Sequence, residues 1–121
     1  MGRIVHVEIV AEDHNRAGEF YREVFGWQVT PAPVPDGYLL AETGPGEGID
    51  AAIMSSRYQS QPAIPWIEVD NLEATLEAAR AAGGTPVGTI QELADVGRLT
   101  YLHDTEGVLI GLRQRSSARP R

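Results

Sequence analysis

The chain has 121 residues, 42% of them hydrophobic, with no cysteine and a formal net charge of −7. That length and apolar content make one domain with a real core, and the lack of cysteine excludes disulfides, thiolate metal sites and cysteine nucleophiles, in keeping with a reducing compartment. All ten basic residues are arginine, and Arg113, Arg115, Arg119 and Arg121 fall in the last nine positions, leaving six against seventeen acidic residues elsewhere, a net of −11. Such a field repels phosphate backbones, so no nucleic-acid partner is expected. No charged-then-apolar leader opens the chain and no run nears the roughly 20 apolar residues of a membrane span. The expectation is a soluble cytoplasmic protein with no membrane partner. The tail 115–121, rich in Ser, Pro and Arg, is expected to be a frayed, solvated end.

In chain order, "RIVHVEIVAED" alternates. Val5, Val7, Ile9 and Ala11 form one apolar face, and Ile4, His6, Glu8 and Val10 form the other. This is strand periodicity with one face fit to pack under a helix. Asp13 and Asn15 are N-cap candidates. Ala17, Phe20, Tyr21, Val24 and Phe25 recur at helix-stripe spacing, and Gly26 sits where a C-cap glycine belongs. Three strand-like runs follow: "WQVTPA", "GYLLAET" and "IDAAIMS", parted by the turn signals "PVPDG" and "GPGEG". The polar stretch "SSRYQSQPA", residues 55 to 63, reads as a linker.

The same grammar then returns. "IPWIEVD" predicts a short strand, and "DNLEATLEAARAAGG" a helix with Asp70 and Glu73 at capping-box spacing. Leu72, Leu76 and Ala79 mark its buried stripe, and Gly83-Gly84 its end. The runs "TPVGTIQ", "GRLTYLHD" and "VLIGLRQ" follow, parted by "ELADV" and "DTEG". Asp13 to Asp70 is 57 positions, as is Gly26 to Gly83, and twice that is nearly the whole chain. The order is βαβββ, twice: an internal duplication with modules at 3–54 and 64–114 inside one domain, 1–121.

A strand, a helix ending in "FYREVFGW", three strands and a repeat ending in "YLHDTEGVLIGL" resemble the vicinal oxygen chelate superfamily. That group includes glyoxalase I, extradiol dioxygenases, methylmalonyl-CoA epimerase, fosfomycin resistance enzymes and bleomycin-binding proteins. The resemblance spans roughly residues 3 to 114. It implies an α+β fold in which the two βαβββ modules form a curved, cup-like mixed sheet with the helices outside. It also implies that two chains pair, giving a homodimer as the expected assembly. With Val5, Val7, Ile9 and Ala11 under the helix, His6 and Glu8 face the cup, joined from the second half by Ile64, Trp66 and Glu68.

Metal-dependent members of the group draw one ligand from the first and last strand of each half. His6 matches the first such position. Its counterpart in the second half is Ile64, which has no lone pair to give. The last strand usually offers a glutamate in "G-x-x-I-E-L", whereas "GVLIGL" places Gly111 there. On the fourth strand only Asp50 is acidic. A divalent catalytic metal needs about three protein ligands, so the tally predicts no metal and no cofactor. His6, Glu8 and Asp50 form a non-standard alternative, with Glu8 roughly 6–7 Å along the strand from His6. The other histidines add little: His14 stands at a helix start, and His103 alternates with Tyr101 and Leu99 and lines either the cup or a turn.

Without a metal, His6 beside Glu8 is an acid/base pair in type. No "G-x-S-x-G" or phosphate-binding "G-x-x-x-x-G-K" motif exists, and "TGPGEG" reads as a hairpin loop. The expected cup is rich in aromatic surface. Trp66 faces inward as a stacking platform, with Tyr38, Met54 and Tyr101 on neighbouring strands, while Trp27 is read as core. Glu8 and Glu68, with Glu42, give the cup a negative charge suited to a cationic or aromatic natural product. Three readings follow. The first is a metal-free binding protein of the bleomycin-resistance type, its small aromatic ligand touching His6, Glu8, Tyr38, Met54, Ile64, Trp66, Glu68, Tyr101 and Gly111. The second is a glyoxalase-like lyase or isomerase using His6 as a ligand, and the third a metal-free catalyst built on His6 and Glu8. The ligand tally favours the first.

Overall fold

A computed structural model describes residues 2–33 and 35–115. Of the tail, residues 116–121 lie outside the described residues. In chain order the elements are β1 (Arg3–Ala11), α1 (His14–Phe25), β2 (Gln28–Pro31), β3 (Tyr38–Glu42), β4 (Asp50–Ser55), β5 (Ala63–Glu68), α2 (Leu72–Ala81), β6 (Thr85–Leu93), β7 (Gly97–His103) and β8 (Leu109–Gln114). This is βαβββ twice, an α+β fold with mixed strand pairing. Every expected strand is present; β6 runs two residues further than "TPVGTIQ", past a register shift between Val87 and Gln91. Among the described residues no helix is long and apolar enough to cross a membrane.

Contacts divide the chain into two compact units, and the boundary falls within β1 and β5. His6–Ile64 form one unit, and residues up to Val5 with those from Pro65 onward form the other. The first unit orders its strands β2-β3-β4-β1, with β1 and β4 parallel and the remaining pairs antiparallel. The second orders them β5-β8-β7-β6, again with the first and last strand of the module parallel. The duplication seen in the sequence is therefore a duplication of topology.

In the first unit α1 covers the expected face. Val7, Ile9 and Ala11 pack with Ala17, Tyr21 and Trp27 around a buried cluster of Val29, Leu39, Ala41, Ala51 and Ile53. Fully burying a side chain such as Ile53 is worth about 1.5–3 kcal/mol. Trp27 stacks on Tyr21 with ring centroids 4.8 Å apart and packs, half-buried, against the edge of this core. The helix begins at Asp13, whose carboxylate accepts from the Arg16 N–H at 3.0 Å. It ends at Gly26, left-handed at φ 72°, a conformation glycine adopts without strain. The apolar stripe of α1 differs from expectation: Phe20, Val24 and Phe25 are exposed. Gly18 is the reason. A Cβ there would sit 3.1 Å from Leu39 and 3.3 Å from Val29, so the helix lies close on the sheet along its Ala17–Gly18–Tyr21 side. The aromatic flank turns outward, and Phe20 meets Tyr21 edge-on at 5.2 Å.

In the second unit α2 packs Leu72 and Leu76 against Val69, Leu102 and Leu112, with Ile67, Ala79, Ile90 and Ile110 around them. Its N-cap is Asn71, which accepts from the Ala74 N–H at 2.9 Å, and not Asp70 as the capping-box spacing implied. The shift has a consequence for the duplication. His6 stands seven residues before its N-cap Asp13, and Ile64 seven before Asn71. His6 and Ile64 are thus structural counterparts.

Candidate functional site

Strand alternation leaves each unit a second sheet face, opposite its helix, and the expected site residues lie there. In the first unit the β1 residues His6, Glu8 and Val10 stand in register with Asp50, Ala52 and Met54 of β4. Leu40 and Tyr38 of β3 continue the rows from Ala52 and Met54. Glu8 is only 3% exposed, and its carboxyl accepts the Tyr38 hydroxyl proton at 2.7 Å. The contact joins residues 30 positions apart. A buried carboxyl demands such a donor, because leaving it unmet costs more than the bond itself gains. Met54 and Ile64 are buried, and His6 and Tyr38 are half-buried. Glu42 is exposed, so its charge faces solvent. Asp50, beside His6, accepts the Thr43 backbone N–H at 3.0 Å.

The second unit's face is built around Trp66. Trp66 on β5 pairs with Gly111 on β8, which in turn pairs with Tyr101 on β7. The indole lies flat on Gly111: a Cβ built there would fall 2.2 Å from Cδ2, 2.3 Å from Cε2 and 2.5 Å from Cε3. The Tyr101 ring leans on the indole, centroids 5.0 Å apart at 58°. Trp66 is 6% exposed; its ring is spent on the strand beneath it and on Tyr101. One row further, Glu68 pairs with Arg113. The Arg113 Nη2 is 3.7 Å from the Glu68 carboxylate, and the Arg115 Nε donates to the same oxygen. His103 is half-buried on β7, two residues beyond Tyr101, while His14 begins α1.

The parallel pairings also fix which fourth-strand residue matches Gly111. Trp66 pairs with Gly111 as Glu8 pairs with Ala52, so the counterpart is Ala52 and not Asp50. The four positions that carry ligands in metal-dependent relatives are therefore His6, Ala52, Ile64 and Gly111, a single donor among them. Ala52 and Ile64 are fully buried, and position 111 has no room for a side chain while the indole lies over it. Among the described residues no three His, Asp or Glu side chains gather in a way that could hold a metal ion. The donor set does not fit the metal that the fold's relatives use.

Sequence reasoning found the faces and the residue types but missed three contacts: indole on glycine, Tyr38 on Glu8, and two arginines on Glu68. For Tyr38 a signal was present, since it alternates with Leu39 and Ala41 of the core. For the others none was, because lateral register is set by pairing and not by local pattern.

These two repeated modules and their donor positions define a class. The chain belongs to the vicinal oxygen chelate superfamily, the group of glyoxalase-like and bleomycin-resistance-like proteins. Residues 3–44 match the family described as "Bleomycin resistance protein-like N-terminal". A "Glyoxylase-like domain-containing protein" of Didymella fabae is 34% identical over 113 residues, 88% of each chain. A Mycobacterium bovis relative with a glyoxylase name, CFP32, is 30% identical over 116 residues, and the chain spans 44% of its length. Among solved structures, methylmalonyl-CoA epimerase from Mycobacterium tuberculosis superposes with a TM-score of 0.71 at 22% identity, over 93% of this chain and 87% of that one. At that identity the likeness is one of fold.

Proposed function

We propose that the protein binds a small aromatic molecule without a metal and without turning it over, in the manner of a bleomycin-resistance protein. The observation that carries this reading is the indole of Trp66 lying on Gly111, which fills a position where a catalytic relative needs a carboxylate. Ala52 and Ile64 add to it, since neither offers a lone pair. The ligand-contact residues assigned are those of the two helix-free faces: His6, Glu8, Tyr38, Met54 and Ile64 in one unit, and Trp66, Glu68, Tyr101 and Gly111 in the other. Pairing of two cytoplasmic chains belongs to the same proposal, and light scattering on the purified protein tests the pairing.

Binding is tested by titrating aromatic antibiotics, bleomycin among them, while following tryptophan fluorescence and heat. Saturable binding that weakens in Trp66→Phe and Tyr101→Ala supports the reading. Unchanged affinity in both variants, or conversion of the ligand to product, overturns it. A second reading, a glyoxalase-like lyase or isomerase with His6 as a ligand, draws on the names of the curated relatives and on Asp50 standing beside His6. Metal-dependent turnover of a 2-oxoaldehyde–thiol adduct, lost in His6→Ala, would establish it.

A further inference from the structure

The face made by β5, β8 and β7 holds two donors that its packing does not use. Trp66 Nε1 and Arg113 Nε are both shielded from solvent, and neither has an acceptor among the described residues. More than nine in ten buried polar groups find a partner, and an orphan costs about 1–3 kcal/mol. Phenylalanine would fill the space over Gly111 without that cost. The two donors belong to one face: Trp66 pairs with Gly111, and Arg113 stands two residues beyond it on the same side of β8. One strand across and two residues along, the two backbone positions are roughly 8 Å apart, within the reach of an indole and an arginine side chain that share one small ligand.

Charge narrows the acceptor. Glu68 is shared by two guanidiniums, those of Arg113 and Arg115, so this cluster carries one positive charge in excess. The negative residues Glu8 and Asp50 belong to the other unit. A charge-assisted acceptor is also the strongest partner an Arg N–H can find.

We propose that this face reads a carboxylate: Trp66 Nε1–H and Arg113 Nε–H donate to the carboxylate of a planar aromatic ligand whose ring lies against Tyr101. The assignment rests on the small-molecule reading above and adds the ligand's polar chemistry, an anion in place of the cation that overall charge suggests. Entry of the ligand displaces the groups over the two donors. The half-buried Tyr101 ring and the loosely spaced Glu68–Arg113 pair, at 3.7 Å, are the ones on this face that shift.

The test is proton–nitrogen NMR of the full chain, with Trp27→Phe assigning the two indole signals. The probes are 2-naphthoate and 2-naphthylmethylammonium, which match in size and differ in whether they carry an acceptor. The expected result is that 2-naphthoate moves backbone signals of β5 and β8 and carries the Trp66 indole proton downfield, while the ammonium probe leaves that proton in place. Trp66→Phe and Arg113→Lys each weaken 2-naphthoate about tenfold or more, as loss of a hydrogen bond to a charged group does. Arg113→Lys keeps the charge and removes Nε, so it separates donor geometry from net charge. Movement of β5 and β8 signals without the indole proton, or wild-type affinity in Trp66→Phe, overturns the carboxylate assignment and leaves small-molecule binding standing. A persistent water contact to the Trp66 indole proton that survives addition of 2-naphthoate also overturns it. Absence of any shift on this face with either probe overturns both readings of the face.

Discussion

Placing alanine at position 111 drives its Cβ into the indole of Trp66. Three ring atoms would lie 2.2, 2.3 and 2.5 Å from the new carbon, where contacting carbons settle at about 3.5–4.0 Å. An indole is a rigid bicycle and cannot bend away, so it must swing off the strand and give up its burial. Overpacking of this kind costs about 1–3 kcal/mol, and exposing a large apolar ring adds about 1.5–3 kcal/mol when complete. Against this, alanine is favoured over glycine in a strand by about 0.5–1 kcal/mol. With the ring fully displaced, Gly111→Ala is therefore expected to destabilise by about 1.5–5.5 kcal/mol. In a Trp66→Ala background the clash is gone, and the same change should be neutral or stabilising by up to about 1 kcal/mol. Urea unfolding of the wild type, both single variants and the double variant, followed by circular dichroism at two protein concentrations, gives the coupling directly. An equal cost of Gly111→Ala in both backgrounds would refute the account of why glycine stands there.

Other expected outcomes follow from the same contacts. Tyr38→Phe removes the hydroxyl donor from the buried Glu8 carboxyl and should cost about 1–3 kcal/mol in urea unfolding; a change below a few tenths would mean that the bond is idle. Leu72→Ala, at a fully buried position, should cost about 2–5 kcal/mol, whereas Phe25→Ser on the exposed flank of α1 should stay within about 0.5 kcal/mol. A large loss in the serine variant would place that flank in an interface. Arg98 grips the exposed Glu73 carboxylate, one oxygen at 2.9 Å, and holds its pKa at about 2 in place of 4.5. A lowered folded value means the pairing stabilises above pH 4.5 and is lost as pH falls towards 2. The Tm difference between wild type and Glu73→Gln should be small, sensitive to salt, and should close across that window; a constant difference would contradict it.

Much of the fold was legible because local pattern dictates it. The alternation of Val7, Ile9 and Ala11 named the helix-facing side, and Gly26 and Gly83 marked where helices end. Pro and Gly clusters parted the strands at nearly their true bounds. The misses come from forces that act between elements. Phe20, Val24 and Phe25 have helix-stripe spacing, yet the close approach allowed by Gly18 decides which side of α1 touches the sheet. Asn71 outcompetes Asp70 as cap by a single position, and with that cap Ile64 stands at the same seven-residue distance as His6, in keeping with the pairing the sequence suggests. Asp50 looked like the fourth-strand donor until the parallel register placed Ala52 opposite Glu8. The sequence also presents Trp66 and Gly111 as separate features, an aromatic platform and a missing carboxylate. They are two halves of one contact, since the indole can lie there only over glycine.

With His6, Ala52, Ile64 and Gly111 at the four donor positions, the residues present do not make a metal centre of the kind this fold carries. Calorimetric titration of metal-stripped protein with Ni²⁺, Zn²⁺, Mn²⁺ and Fe²⁺, paired with elemental analysis of the protein as purified, decides the matter. The expected result is no stoichiometric tight binding and identical isotherms for wild type and His6→Ala. One equivalent of tightly held metal that disappears in His6→Ala would contradict it.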